Sequence, residues 1–198
     1  MLASTAMAQK CNRKFVDDGD YLKPHEFCDD DFIKRTVPQF KEYLVEKESE
    51  FTPKFPSHVP GYNEEQNIAW LDAIKGTYAD ESINFAGHYL FVHRGCGGGC
   101  HSGGIVDLRT GKIYVPEEIA VVLSNVNSLP ATLCKKLDIE DCSLSTFVFK
   151  KNSKLIIVVG GLGEETDKRG IYHMKWENNQ LKIISKVEKT PEYLKKKK

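Results

Sequence analysis

Three of the six histidines and two of the six cysteines of this chain crowd into one stretch, FAGHYLFVHRGCGGGCHSGGIVDLRTGKIYV, from Phe85 to Val115. Cys96, Cys100 and His101 sit on a glycine run, with His88, His93 and Arg94 before them and Ser102 after. Thiols and imidazoles are zinc and copper ligands, so His93, Cys96, Cys100 and His101 could form a metal site. A cysteine pair could also be a redox couple, which needs an exposed thiolate of depressed pKa, usually at a helix N-terminus. Cys96-Gly-Gly-Gly-Cys100-His101 lengthens the C-x-x-C-H pattern of c-type haem attachment. The remaining chemistry is a disulfide, since three glycines let the backbone curl until the Cβ atoms lie about 4 Å apart. We favour that crosslink. Its ring is worth roughly 2 kcal/mol in loop-closure entropy, so its work is chiefly to fix the shape of the loop.

Other reactive arrangements are weaker. Ser102 lies in Cys-His-Ser-Gly-Gly, without the strand–elbow–helix context of a hydrolase serine. Gly160 to Asp167 sets acidic residues on a second glycine run but lacks calcium-loop spacing. Neither glycine run is followed by a helix that could hold phosphate, so no Walker or Rossmann pattern is present. His88, His93, Arg94, His101 and Ser102 therefore stand as contact residues of a binding loop, with no catalytic residue and no cofactor expected.

Those residues need elements to hold them. Period-two patterning predicts strands over 89–93, 104–108, 112–115, 145–150, 154–160, 170–177 and 181–187. Arg109-Thr110-Gly111 and Asn178-Asn179 mark tight turns between them. The run 89–115 and the run 155–184 echo each other, each reading as a meander of strands around a glycine loop. Ahead of the sheet, Val37, Phe40 and Leu44 recur at helical spacing and predict a helix over 36–49. Prolines 53, 56 and 60 then make an extended connector. Asn63 with Gln66 forms a capping-box pattern opening a second helix, with Ile68, Leu71, Ile74 and Tyr78 as its buried stripe and an end near Gly76 or Tyr78. Short helices are expected over 116–124 and 130–137. Tyr172, Met174 and Trp176 share one sheet face, which could dock a partner if left open.

Composition bounds the class. The 198 residues are 40% hydrophobic and 28% charged, as in a globular domain. The formal charge is zero, but removing the four terminal lysines from 28 basic residues leaves 24 against 28 acidic ones, a body at −4. No basic stripe with interleaved aromatics occurs, which argues against nucleic-acid binding. Ala6-Met7-Ala8 before Gln9 has the small-x-small pattern of a signal-peptidase site, so residues 1–8 read as the tail of an export signal. No run approaches the roughly 20 apolar residues of a membrane span. Six cysteines follow the cleavage pattern, and proximity pairs them 11–28, 96–100 and 134–142, although sequence leaves other pairings open.

The motifs Asn84-Phe85-Ala86-Gly87-His88-Tyr89, Gly95-Cys96-Gly97-Gly98-Gly99-Cys100, and Asp107 with Thr110-Gly111-Lys112 resemble those of a group of small exported bacterial proteins. In that group an FAGxY strand leads to a GCGxxC loop and a D-x-x-T-G turn, and glutamine often follows the second cysteine where this chain has His101. The resemblance implies export and a disulfide loop, and brings no activity.

The expectation is one α+β domain over 9–190, followed by a basic flexible tail over 191–198. N-terminal helices pack on a twisted antiparallel meander sheet of about six or seven strands, stapled by disulfides. In function it reads as a periplasmic or secreted binding protein for a protein or small exported ligand, as an inhibitor, immunity or host-interaction factor. The alternative is an exported metal protein or enzyme using the His/Cys cluster.

Overall fold

The computed structural model describes residues 27–46, 49–124, 129–140, 142, 146–163 and 169–189. The expected leader, Cys11, the acidic run 164–167 and the tail 191–198 lie outside the described residues.

Apolar residues alternate along β1 (Tyr89–Gly97), β2 (Cys100–Asp107) and β3 (Lys112–Tyr114), so this first meander buries both faces. Leu90, Val92, Val106 and Leu108 point to one side, where helix α2 (Glu64–Glu81) covers them with Trp70 and Ile74. Phe91 and Ile105 point to the other, toward a second meander of β6 (Leu155–Leu162), β7 (Arg169–Glu177) and β8 (Gln180–Lys189). That second unit contributes Ile156, Val158, Tyr172, Met174 and Trp176 to the shared core. Its outer face, with Leu155, Ile157, Val159 and Ile171, is covered by α1 (Asp30–Ile33) and α4 (Ala131–Leu137) through Phe32, Leu133 and Leu137. The result is helix, sheet, sheet, helix in four layers. Each fully buried Leu, Ile or Phe in them contributes roughly 1.5–3 kcal/mol.

The two meanders are one eight-stranded antiparallel sheet, because the short β4 (Val122–Leu123) pairs with the tip end of β2 and with the end of β6. α3 (Glu117–Ala120) leads into it. At this corner Gly160 has φ +144°, and a Cβ there would stand 2.4 Å from the Leu123 carbonyl oxygen. Only glycine fits. β5 (Phe147–Phe149) lies on the same edge of β6, and its Phe147 packs on Phe91 with ring centroids 5.1 Å apart. The outer helices cap one another: Asp29 Oδ1 accepts the amide of Thr132 at 2.6 Å, and Lys136 Nζ donates to the carbonyls of Phe32 and Arg35 at 2.6 Å. Such contacts occupy helix-end groups that have no partner within the helix.

The α+β expectation holds, with four corrections. Among the described residues the sheet has eight strands against the about six or seven expected, the added one being β4, which interrupts the segment expected to be helical over 116–124. The helix expected over 36–49 is one 3-10 turn, Phe40–Glu42. Pro38 removes a donor at its start, and the backbone beyond docks on the sheet instead, with Val45 N on the Asn152 carbonyl and Lys154 N on the Tyr43 carbonyl. The second helix starts on its capping box but runs through Gly76 to Glu81; Ile74 of the expected stripe is buried, joined by Trp70, while Ile68 is exposed. The face of Tyr172, Met174 and Trp176 is not open: all three are buried between the meanders.

Candidate functional site

The β1–β2 hairpin carries the site. Pairing runs to Gly97↔Cys100, so the glycine run is strand almost to its tip and the turn itself is only Gly98-Gly99. Both have positive φ, +54° and +77°, which is the backbone of a type I′ turn. Gly97 is also positive at +89°, beside a bulge that leaves Cys96 unpaired. A Cβ on Gly97 or Gly98 would meet nothing within 4 Å, so backbone conformation alone selects glycine there. Gly103 and Gly104 serve differently: a Cβ on the first would press on Ile119 and Phe91 at 3.1 Å, and on the second would lie 3.0 Å from Trp70. They let α3 and α2 come close.

Cys96 and Cys100 are disulfide-bonded across the tip, with Cα atoms 5.0 Å apart, and Cys134 is bonded to Cys142, with Cα atoms 6.0 Å apart. Cys28 is also disulfide-bonded, while its expected partner Cys11 lies outside the described residues. The four-ligand metal set is therefore not assembled, because both sulfurs are spent on each other. Among the described residues no group of three or more His, Cys, Asp or Glu side chains is placed to hold a metal ion.

Strand alternation sorts the remaining candidates onto two faces. His93 and His101 share one face as diagonal cross-strand neighbours, with ring centroids 6.4 Å apart; His93 faces Gly103 and His101 faces Gly95. Partial burial, and then the nearby His93, hold the His101 pKa below its ordinary value, so its ring is neutral at neutral pH. Arg94 and Ser102 pair directly on the opposite face. The Arg94 guanidinium lies 5.2 Å over the Trp70 ring, a cation–π contact with α2. Ser102 is buried, and its hydroxyl donates to the Ala120 carbonyl at 2.7 Å, 3.6 Å from Cys96 Sγ. It holds α3 to the hairpin and is no free nucleophile.

His88 is not part of this cluster. It precedes the far end of β1, five positions from His93 and so ~17 Å away along a strand. There its Nε2 lies 3.7 Å from Asp107 Oδ1, and its ring stacks on Tyr89 at 4.0 Å. Asp107 also accepts the amide of Arg109 at 2.8 Å, which fastens the β2–β3 turn. An apolar cleft of about 670 Å³ opens near this end, lined by Val45, Phe51, Ile83, Gly87 and Lys151. Its walls come from separated segments, so no local pattern in the sequence marks it. Compared with protein families, with characterised proteins and with solved structures, this chain has no match.

Proposed function

We propose that this chain is an exported binding protein without catalytic activity, and that the β1–β2 tip is its contact surface for a protein or small exported ligand. An inhibitor, immunity or host-interaction role is the form such binding would take. One observation carries the reading: the exposed tip bears a disulfide across a bulge beside three positive-φ glycines, a crosslink that a two-residue turn does not require. A preformed shape loses little freedom on binding, so more of the contact energy appears as affinity. Paired cysteines accord with an oxidising compartment, and the motif resemblance points the same way.

The test is crosslinking mass spectrometry of the oxidised protein with the exported fraction of its own cells. We expect crosslinks to a single partner that concentrate on residues 93–102 and vanish in a His93→Ala/His101→Ala variant of unchanged thermal stability. Crosslinks that persist in that variant, or turnover of a substrate that depends on His88, would overturn the proposal.

A further inference from the structure

We propose that His93 and His101 form a two-histidine site for one borderline divalent cation of the copper, nickel or zinc class on the hairpin tip. The two rings sit on the same face of adjacent strands, and neither makes a hydrogen bond or ion pair with any described residue. Each is opposite a glycine: a Cβ on Gly95, opposite His101, would meet open space within 4 Å, while Gly103, opposite His93, is packed by Phe91 and Ile119, and the His93 ring lies 5.9 Å from Phe147. Two neighbouring imidazoles whose nitrogens carry no hydrogen bond to a described residue are a ligand pair in need of a third party.

Geometry and chemistry agree on the class. With metal–nitrogen bonds of about 2.0–2.1 Å, two imidazoles on one tetrahedral ion have their centroids about 5 Å apart. The observed 6.4 Å closes to that by small side-chain rotations at an exposed and a half-exposed residue. The disulfide fixes the strands that carry both rings. It also removes the thiolates that would favour softer ions, leaving nitrogen donors that suit Cu(II), Ni(II) and Zn(II). Water, or a donor from whatever docks on the tip, completes the coordination. The site does not depend on the docking reading, since a tip without a partner can still hold the ion.

The experiment titrates untagged, oxidised full-length protein with CuCl2, NiCl2 and ZnCl2 by calorimetry, with imidazole NMR signals as the site-resolved readout. We expect one equivalent of copper, binding tighter than nickel or zinc, with broadening by Cu(II), and shifts by Zn(II), confined to the signals of His93 and His101. His93→Ala and His101→Ala should each weaken copper binding by at least about tenfold, as loss of one of two protein ligands demands, while His88→Ala leaves it unchanged. The milder His93→Gln keeps the test valid if an alanine variant is unstable. Absence of saturable binding, or binding that survives both alanine variants, or signals that move at other histidines, would overturn the proposal. No partner protein is in the cell, so failure here is distinct from failure of the docking reading.

Discussion

The β1–β2 and β7–β8 hairpins solve one geometric problem with unequal means. Both turn in two residues with positive φ: Gly98 and Gly99 in the first, Asn178 and Asn179, at +53° and +59°, in the second. Asparagine tolerates the left-handed region well enough for a type I′ turn, so β7–β8 closes with neither glycine nor crosslink. The first hairpin adds Gly97, the Cys96 bulge and the disulfide. Those additions exceed what reversing the chain requires, and they occur on the hairpin that projects exposed polar groups. The histidines divide the same way. His93 is exposed and His101 partly buried at the tip of the first meander, whereas His173 of the second is fully buried. One meander supplies stability and the other presents a surface.

The largest expected effect tests the stabilising half. Burial, with a smaller push from Arg35 and some opposition from the Ser185 backbone, lowers the His173 pKa to about 4. In the unfolded chain this ring binds a proton below its ordinary value near 6.5, while the folded protein keeps it neutral until about 4. Between those values the unfolded state holds more protons, so stability is full above pH 6.5 and falls as pH drops toward 4. The loss by pH 4 is ~3 kcal/mol. Urea unfolding across that range should show this slope in the wild type and a shallower one in His173→Leu. His93→Ala should leave the slope nearly intact, and equal slopes in all three proteins would break the division of labour.

Next is the crosslink. Removing the Cys96–Cys100 ring with paired serines should cost about 2 kcal/mol, the closure entropy of so short a loop. Removing Cys134–Cys142, which closes a longer ring and buries Cys134 in the outer core, should cost somewhat more. Denaturant midpoints of the two variants give the comparison. If the tip disulfide proved the larger contributor, its role would be stability rather than shape.

Much of this was legible because the deciding interactions are local. The hairpins at Arg109–Gly111 and Asn178-Asn179, the Asn63–Gln66 cap and the Cys96 and Cys134 rings each involve residues within a few positions of one another. What could not be read depends on distant partners. Leu44 and Val45 have helical spacing, but Asn152 and Ser153 claim that backbone for the sheet. Whether the face of Tyr172 and Trp176 is open depends on the sheet folding back over it, which no local pattern in the sequence states. At the site, strand alternation places His93 and His101 on one face, sends Arg94 and Ser102 to the other side and leaves His88 at the far end.

Gly97 separates turn formation from tip shape within the first hairpin. It is not one of the two turn residues, and no side chain crowds it, so Gly97→Ala should cost only the left-handed backbone penalty, roughly 1–2 kcal/mol.

The smallest effect is the sharpest test of the comparison. If the tip glycines serve only to reverse the chain, Gly98→Asn/Gly99→Asn installs the turn that β7–β8 already uses and should change stability by less than about 1 kcal/mol. The strands, the bulge and the disulfide stay in place, so the melting temperature should barely move. The added side chains, however, project from a surface where glycine left open space beside Gly98. Partner crosslinking at the tip should therefore fall while thermal unfolding does not. A swap that leaves both unchanged would show that the bare glycine surface is incidental, and would confine recognition to His93, Arg94 and His101.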